Sequence, residues 1–123
     1  MTTIWFPGAW PDLNSYIDAE RANRHAAAEI KRVYTDKAQV IARQECVGAV
    51  HTPCEVRCVW HLSNGRKDPD NVAFAIKFLL DGIVKAGVLP NDGQKQIWRI
   101  THEFVRDGDE GVLVELVEAS HEA

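Results

Sequence analysis

Asp68 and Asp70 stand two residues apart in Gly65-Arg66-Lys67-Asp68-Pro69-Asp70-Asn71, directly after two cations. In an extended segment, residues i and i+2 point the same way. Pro69 restricts its own φ and biases Asp68 to extended geometry, so the two carboxylates are expected to aim at one place. Like charges aimed at one point repel unless one is protonated or a cation sits between them. Paired hard oxygen donors suit Mg²⁺ or Mn²⁺. The plainer alternative is that Asp70 or Asn71 caps the helix that follows, with an acid near its N-terminus favoured by the helix dipole. Capping needs one such residue rather than Asp-x-Asp-Asn, and both readings can hold together. Asp92, in Leu89-Pro90-Asn91-Asp92-Gly93-Gln94, is a third acid. Asn-Asp-Gly is ordinary turn chemistry, and taken alone Asp92 needs no other explanation. A helix from Asn71 to Ala86 would leave Asp92 at its far end. Joining it to Asp68 and Asp70 requires the following strand to run back along the same sheet.

A second constellation carries less. His51, Cys54, Cys58 and His61 are zinc-ligand types. In a strand, however, Cys54 and Cys58 lie about 13 Å apart. One zinc holds all its ligands within about 2.3 Å. Buried strand cysteines are the better reading.

The elements that must position these residues follow from periodicity. Thr2–Gly8 reads as a short strand stopped by Pro7-Gly8. From about Ile17 to Glu45 the chain is alanine-rich, without Pro or Gly, and reads as one helix. Ala26, Ile30, Val33, Val40 and Ile41 can form its apolar stripe. Residues 53–62 alternate, with Cys54, Val56, Cys58 and Trp60 on one face of a strand. Residues 71–86 read as a second helix ended by Gly87. Two strands, Gln96–Val105 and Gly111–Ala119, are joined by Arg106–Gly111 as a hairpin. The order β-α-β-α-β-β predicts an α/β or α+β fold, with two main helices on a small mixed sheet. Without repeats or low-complexity segments, residues 1–123 read as one domain.

The chain has 123 residues, enough for a core of its own. Residues 1–67 carry nine Lys/Arg and seven Asp/Glu, a net of +2; residues 68–123 carry five and eleven, a net of −6. A net-acidic chain argues against passive nucleic-acid binding but not against an enzyme whose acids hold metal. No apolar run is long enough to span a bilayer, and no secretory signal pattern opens the chain. Three closely spaced cysteines are expected to be reduced thiols in a cytoplasmic protein.

The combination Asp68-Pro69-Asp70-Asn71, Lys77, Leu80-Asp81-Gly82, Lys85-Ala86-Gly87, Asn91-Asp92 and Gln94 resembles the RusA family of Holliday junction resolvases of phages and prophages. The match covers about a quarter of the chain. The entry segment from Trp10 to Arg32 is more weakly similar to that of phage members. The resemblance implies a bacterial or phage-encoded, Mg²⁺-dependent endonuclease, with Mn²⁺ as an acceptable substitute. It also implies a homodimer that nicks two strands of a four-way DNA junction symmetrically. Asp68, Asp70 and Asp92 would hold metal, with Lys77 as the helix lysine needed for cleavage. Two departures stand out: Asn91 occupies a position where many members have an acid, and Phe74, not Lys77, is the ungapped match to the lysine. Asp81 reads as structural, pairing with Lys77 or Lys85. Phosphate contacts fall to Arg66 and Lys67 beside the acids, and to Arg21, Arg24, Lys31 and Arg32 on the first helix, with Asn14 and Asn71 as further DNA-binding candidates. Other readings are a metal-dependent nuclease for forks or flaps, and a non-catalytic DNA-binding domain. Trp98, Ile100 and Phe104 read first as core and second as dimer interface.

Overall fold

The alternation in residues 54–61 is that of a strand with one buried face, and this strand lies inside the sheet. In the computed structural model, residues 1–46 and 48–119 are described. The elements are β1 (Thr2–Pro7), α1 (Leu13–Ala22), α2 (Arg24–Glu45), β2 (Cys54–His61), α3 (Pro69–Ala73), α4 (Ile76–Lys85), β3 (Ile97–Val105) and β4 (Gly111–Glu118). The four strands form one mixed sheet in the order β1-β4-β2-β3. β4 is antiparallel to both β1 and β2, and β3 is parallel to β2. This is the expected mixed α+β architecture.

Both long helical stretches are divided. Asn23 interrupts the first with an extended backbone: its N–H donates to Ala19 O and its Oδ1 accepts from His25 N–H at 2.7 Å. One Asn therefore closes α1 and opens α2, using the side-chain acceptor that suits it to a cap. The second stretch breaks at Phe74-Ala75, between α3 and α4. Gly87, at φ +81°, ends α4 as expected: its N–H donates to Val84 O at 3.0 Å, and Val88 N–H donates to Ile83 O at 3.2 Å. This is the paired closure for which a left-handed glycine is favoured.

The expected hairpin between the last two strands does not form. β2 lies between β3 and β4, and residues 106–110 cross over its end. Leu62 N–H donates to Val105 O at 2.8 Å, Gly108 N–H donates to Leu62 O, and His61 Nδ1 lies 2.7 Å from Asp107 Oδ2. Those three contacts hold the crossing.

The inner face of the sheet is formed by Ile4, Phe6, Val56, Cys58, Trp60, Val112, Val114 and Leu116, all buried. They share one core with Ala38, Ala42, Phe78, Leu79 and Ile83 of α2 and α4. The helices thus cover this face. The apolar stripe of α2 differs from expectation: Val33 and Val40 are exposed, and the small residues Ala27, Ala38 and Ala42 face inward. Small residues let α4 approach α2 closely, and the bulkier valines would not fit there. Among the described residues, no helix is long and apolar enough to cross a membrane.

His102 couples β3 to the core. Its Nδ1 accepts the Trp60 Nε1–H at 2.9 Å, which requires a neutral ring protonated at Nε2. Partial burial holds its pKa below the usual histidine value. The native state therefore binds this proton less readily than the unfolded chain. Its contribution to stability is present above about pH 6.5 and is lost as pH falls through the lower native pKa. Urea midpoints should fall from pH 7 to pH 5, and His102→Phe should flatten that slope. An unchanged slope in the variant would assign the acid sensitivity elsewhere.

Candidate metal and nucleic-acid site

The loop after β2 delivers Asp68 to the first residue before α3. Asp68 is extended (φ −68°, ψ 149°), as Pro69 favours, and Pro69 opens the helix. The helical turn then starts earlier than expected. Asp70 already lies inside it, so the Asp-Pro-Asp stretch is only half extended. Asp68 forms no side-chain cap. Among the described residues, Asp70 Oδ1 accepts only the N–H of the next residue, Asn71, at 3.0 Å. Both acids are exposed. Asp70 stands in the first turn of α3, where the helix dipole favours an acid, while Asp68 caps nothing with its side chain.

Asn71 does other work. It is buried, and its Oδ1 accepts the backbone N–H of Asn14 at 2.8 Å, in the first turn of α1. This bond pins α1 to α3, which makes Asn71 structural rather than a free DNA contact. The Asn14 side chain remains exposed. Asp12, not singled out by the sequence, caps α1 by accepting Ser15 N–H at 2.8 Å and pairs with Lys67 Nζ at 2.7 Å. Partial burial pushes the Asp12 pKa up, but the Lys67 and Ser15 hydrogen bonds outweigh it and the net shift is downward. Lys67 is therefore engaged. Arg66 is exposed, with its backbone N–H held by Asn64 Oδ1 at 2.9 Å. A cleft of about 90 Å³ opens beside this loop, lined by Gly8, Trp10, Asp12, His61, Asn64 and Lys67 among others.

Asp92 is not part of this cluster. β3 does run back past the helices, parallel to β2, yet Asp92 stays just before its start. Cys54 N–H donates to Gln96 O at 2.8 Å, which places that start beside the first residue of β2. Asp68 lies at the other end of β2, seven residues past His61, where its neighbour Lys67 lines the cleft beside Trp60 and His61. The seven residue steps from Cys54 to His61 span about 23 Å. Accordingly, among the described residues no group of three His, Cys, Asp or Glu side chains comes together as a metal site. Asp92 N–H is held by Asn91 Oδ1 at 2.9 Å, ordinary turn geometry.

Lys77 is exposed on α4, and its Nζ lies 3.4 Å from Asp81 Oδ1, the i,i+4 pair expected for Asp81. Arg21, Arg24 and Lys31 are exposed. Arg32 is shared between Glu29 and Asp36 on its own helix, which leaves it a poorer phosphate contact. Cys54 and Cys58 point into the core, and burial pushes the Cys58 thiol up to about 12. The zinc reading thus has no site. No family model matches the chain, and no curated protein is significantly similar to it.

Proposed function

We propose that this protein is a metal-dependent, structure-selective endodeoxyribonuclease that nicks four-way DNA junctions as a homodimer. One observation carries the reading. Asp68 and Asp70 present two exposed carboxylates at a loop–helix junction, neither in an ion pair among the described residues, with the exposed Arg66 two residues before Asp68 in the chain. Their oxygen chemistry fits Mg²⁺ or Mn²⁺, but two carboxylates are few for a catalytic site. Asp92 sits at the opposite end of the sheet, so a three-acid site needs Asp92 of a second copy. When bound, Mg²⁺ would activate water and relieve phosphate charge. The chain's own groups do the rest. Arg66 engages phosphate, Lys77 supplies a cation one helix further on, and the cleft beside the loop offers room for backbone.

The split of the acids also favours a second reading, a non-catalytic DNA-binding domain whose acids serve turns and helix entry. Incubating the protein with a mobile four-way junction in Mg²⁺, Mn²⁺ or EDTA decides between them. Cleavage in either metal and none in EDTA supports the nuclease. Fork and linear duplex substrates then separate junction selectivity from flap or fork activity. Binding without cleavage in any metal leaves the second reading.

The cations make a separable prediction. Arg66→Ala should lower the slope of log binding constant against log salt by roughly 0.9, one phosphate contact. Lys67→Ala also frees Asp12, so its effect on binding should come with reduced stability. An unchanged slope in Arg66→Ala would move phosphate binding to Arg21, Arg24 and Lys31.

A further inference from the structure

β3 is the outer strand of the sheet, nine residues long, with one side unpaired among the described residues. Long unprotected edges invite pairing with another chain, and proteins normally shorten, cover or interrupt them. This one carries no proline, and its one bulge, at Trp98, leaves Arg99–Val105 as a regular run. It also holds four of the seven exposed large apolar side chains: Trp98 is 58%, Ile100 44%, Phe104 37% and Val105 39% exposed. Their exposure overturns the expectation that Trp98, Ile100 and Phe104 belong to the core. Among the described residues, α2 packs against β1, at the far edge of the sheet, and only Ile97 of β3 joins the shared core.

The direction of the edge groups limits what can pair there. Val105 O accepts the Leu62 N–H and so faces β2. Backbone groups alternate along a strand, so Thr101, Glu103 and Val105 point toward β2, while Ile100, His102 and Phe104 turn their N–H and C=O outward. Two copies related by a two-fold axis pair β3 antiparallel. Only registers that match outward groups with outward groups can form the ladder. With the axis at Thr101, Ile100 pairs with His102, while Trp98, the extra residue where β3 bulges between Ile97 and Arg99, lies outside the regular ladder. Arg99 of each copy faces Glu103 of the other, and Thr101 faces Thr101. Ile97 lies beyond the bulge, buried beside Cys54 on the core face, and takes no part in this ladder. The regular segment Arg99–Glu103 is thus complementary to itself in charge, with Thr101 on the axis. Shifting the axis by one residue either way sets Arg99 against Thr101 or Val105, and Glu103 against Ile97 or Thr101.

We propose that a second copy of this chain docks on β3, antiparallel and two-fold symmetric about Thr101, with Arg99 of each copy paired to Glu103 of the other. The two sheets become one of eight strands. Arg99 and Glu103 fall in the closely spaced, non-hydrogen-bonded class of cross-strand pairs, where opposite charges are favourable and like charges repel. In one copy Arg99 Nε lies 3.4 Å from Glu55 Oε2 on β2, so in the dimer the guanidinium is shared between Glu55 and Glu103 of the other copy. The inference stands on this strand's own residues. The two-copy metal site proposed above depends on it, and not the reverse: the antiparallel register brings the start of one β3, near Asp92, to the end of the other, where the loop leading to Asp68 approaches Arg106 at Gly65.

Two experiments without DNA or metal test it. Sedimentation of the wild type at micromolar concentration should give twice the chain mass. Arg99→Glu and Glu103→Arg each create two like-charge pairs and should weaken the dimer at least about tenfold. The double variant Arg99→Glu/Glu103→Arg restores both pairs and should recover it. A purely structural role for Arg99 beside Glu55 would not be rescued this way. In a Cys46→Ser background, Thr101→Cys should form a disulfide-linked dimer under mild oxidation, because the two positions meet on the axis. Arg99→Cys should not. A monomer throughout the micromolar range overturns the proposal, as does a dimer that crosslinks through Arg99→Cys but not Thr101→Cys. A dimer that passes both tests but cuts no junction retains the interface and removes the nuclease.

Discussion

Asp70→Asn should abolish junction cleavage in Mg²⁺ while leaving the fold intact. Asp70 is exposed, and its one hydrogen bond, Oδ1 accepting from Asn71 N–H at 3.0 Å, is equally available to an asparagine oxygen. Loss of one acid in the first turn of a short helix costs no more than about 1 kcal/mol. The thermal midpoint should therefore barely move. Cleavage should fall by more than about 100-fold, because even the partners that merely orient a metal ligand are worth roughly 10–100-fold. A neutral amide is a far weaker donor to Mg²⁺ than a carboxylate. Junction binding in EDTA should persist or tighten, since one negative charge facing phosphate is gone. Asp68→Asn should behave alike. Asp92→Asn tests the two-copy arrangement: mixed with Asp70→Asn protein, it should recover one functional site per heterodimer, because each copy then supplies what the other lacks. Folded Asp70→Asn protein that cuts at the wild-type rate would refute the site.

Gly82→Ala should destabilise the protein by ~2–3 kcal/mol, lowering the thermal midpoint by about 10 °C. Gly82 is buried at the closest approach of α4 to α2. A Cβ there would meet Gln39 N at 2.7 Å and Ala38 C at 2.8 Å, besides the Ala38 side chain. Backbone cannot step aside as the end of a flexible side chain can, so the helices must separate. That separation would also strain the bond from Gln39 Nε2 to Lys85 O, 3.3 Å long. Alanine's better helix propensity returns only about 1 kcal/mol. Gly93→Ala is the control: its Cβ would meet only the Gln96 side chain, at 3.2 Å, and its effect should stay within about 0.5 kcal/mol. Equal denaturant midpoints for the two variants would show that α2 and α4 can part without cost.

The element types were legible because they rest on local chemistry. Alternation from Cys54 to Trp60 made β2 a strand with a buried face. Gly87 marked the end of α4 because a left-handed residue closes the helix. Asp81 was read as structural from its spacing to Lys77. Asn23 carried a capping side chain, but inside an alanine-rich run its signal was indistinguishable from an ordinary helical asparagine. The strand order was not legible. Arg106–Gly111 has the composition of a hairpin turn, and only the long-range bonds of Leu62 and His61 to that loop show β2 inserted between β3 and β4. The same limit applies to the acids. Pro69 set the backbone of Asp68 locally, so the exposed Asp68–Asp70 pair could be anticipated. Whether Asp92 joins them depends on the direction of β3, which a pairing between residues some forty positions apart decides. That pairing, parallel to β2, leaves Asp92 at the opposite end of the sheet. It also leaves Trp98, Ile100 and Phe104 exposed on an edge strand that the helices do not cover, because burial belongs to the neighbours a strand acquires and not to its own hydrophobicity.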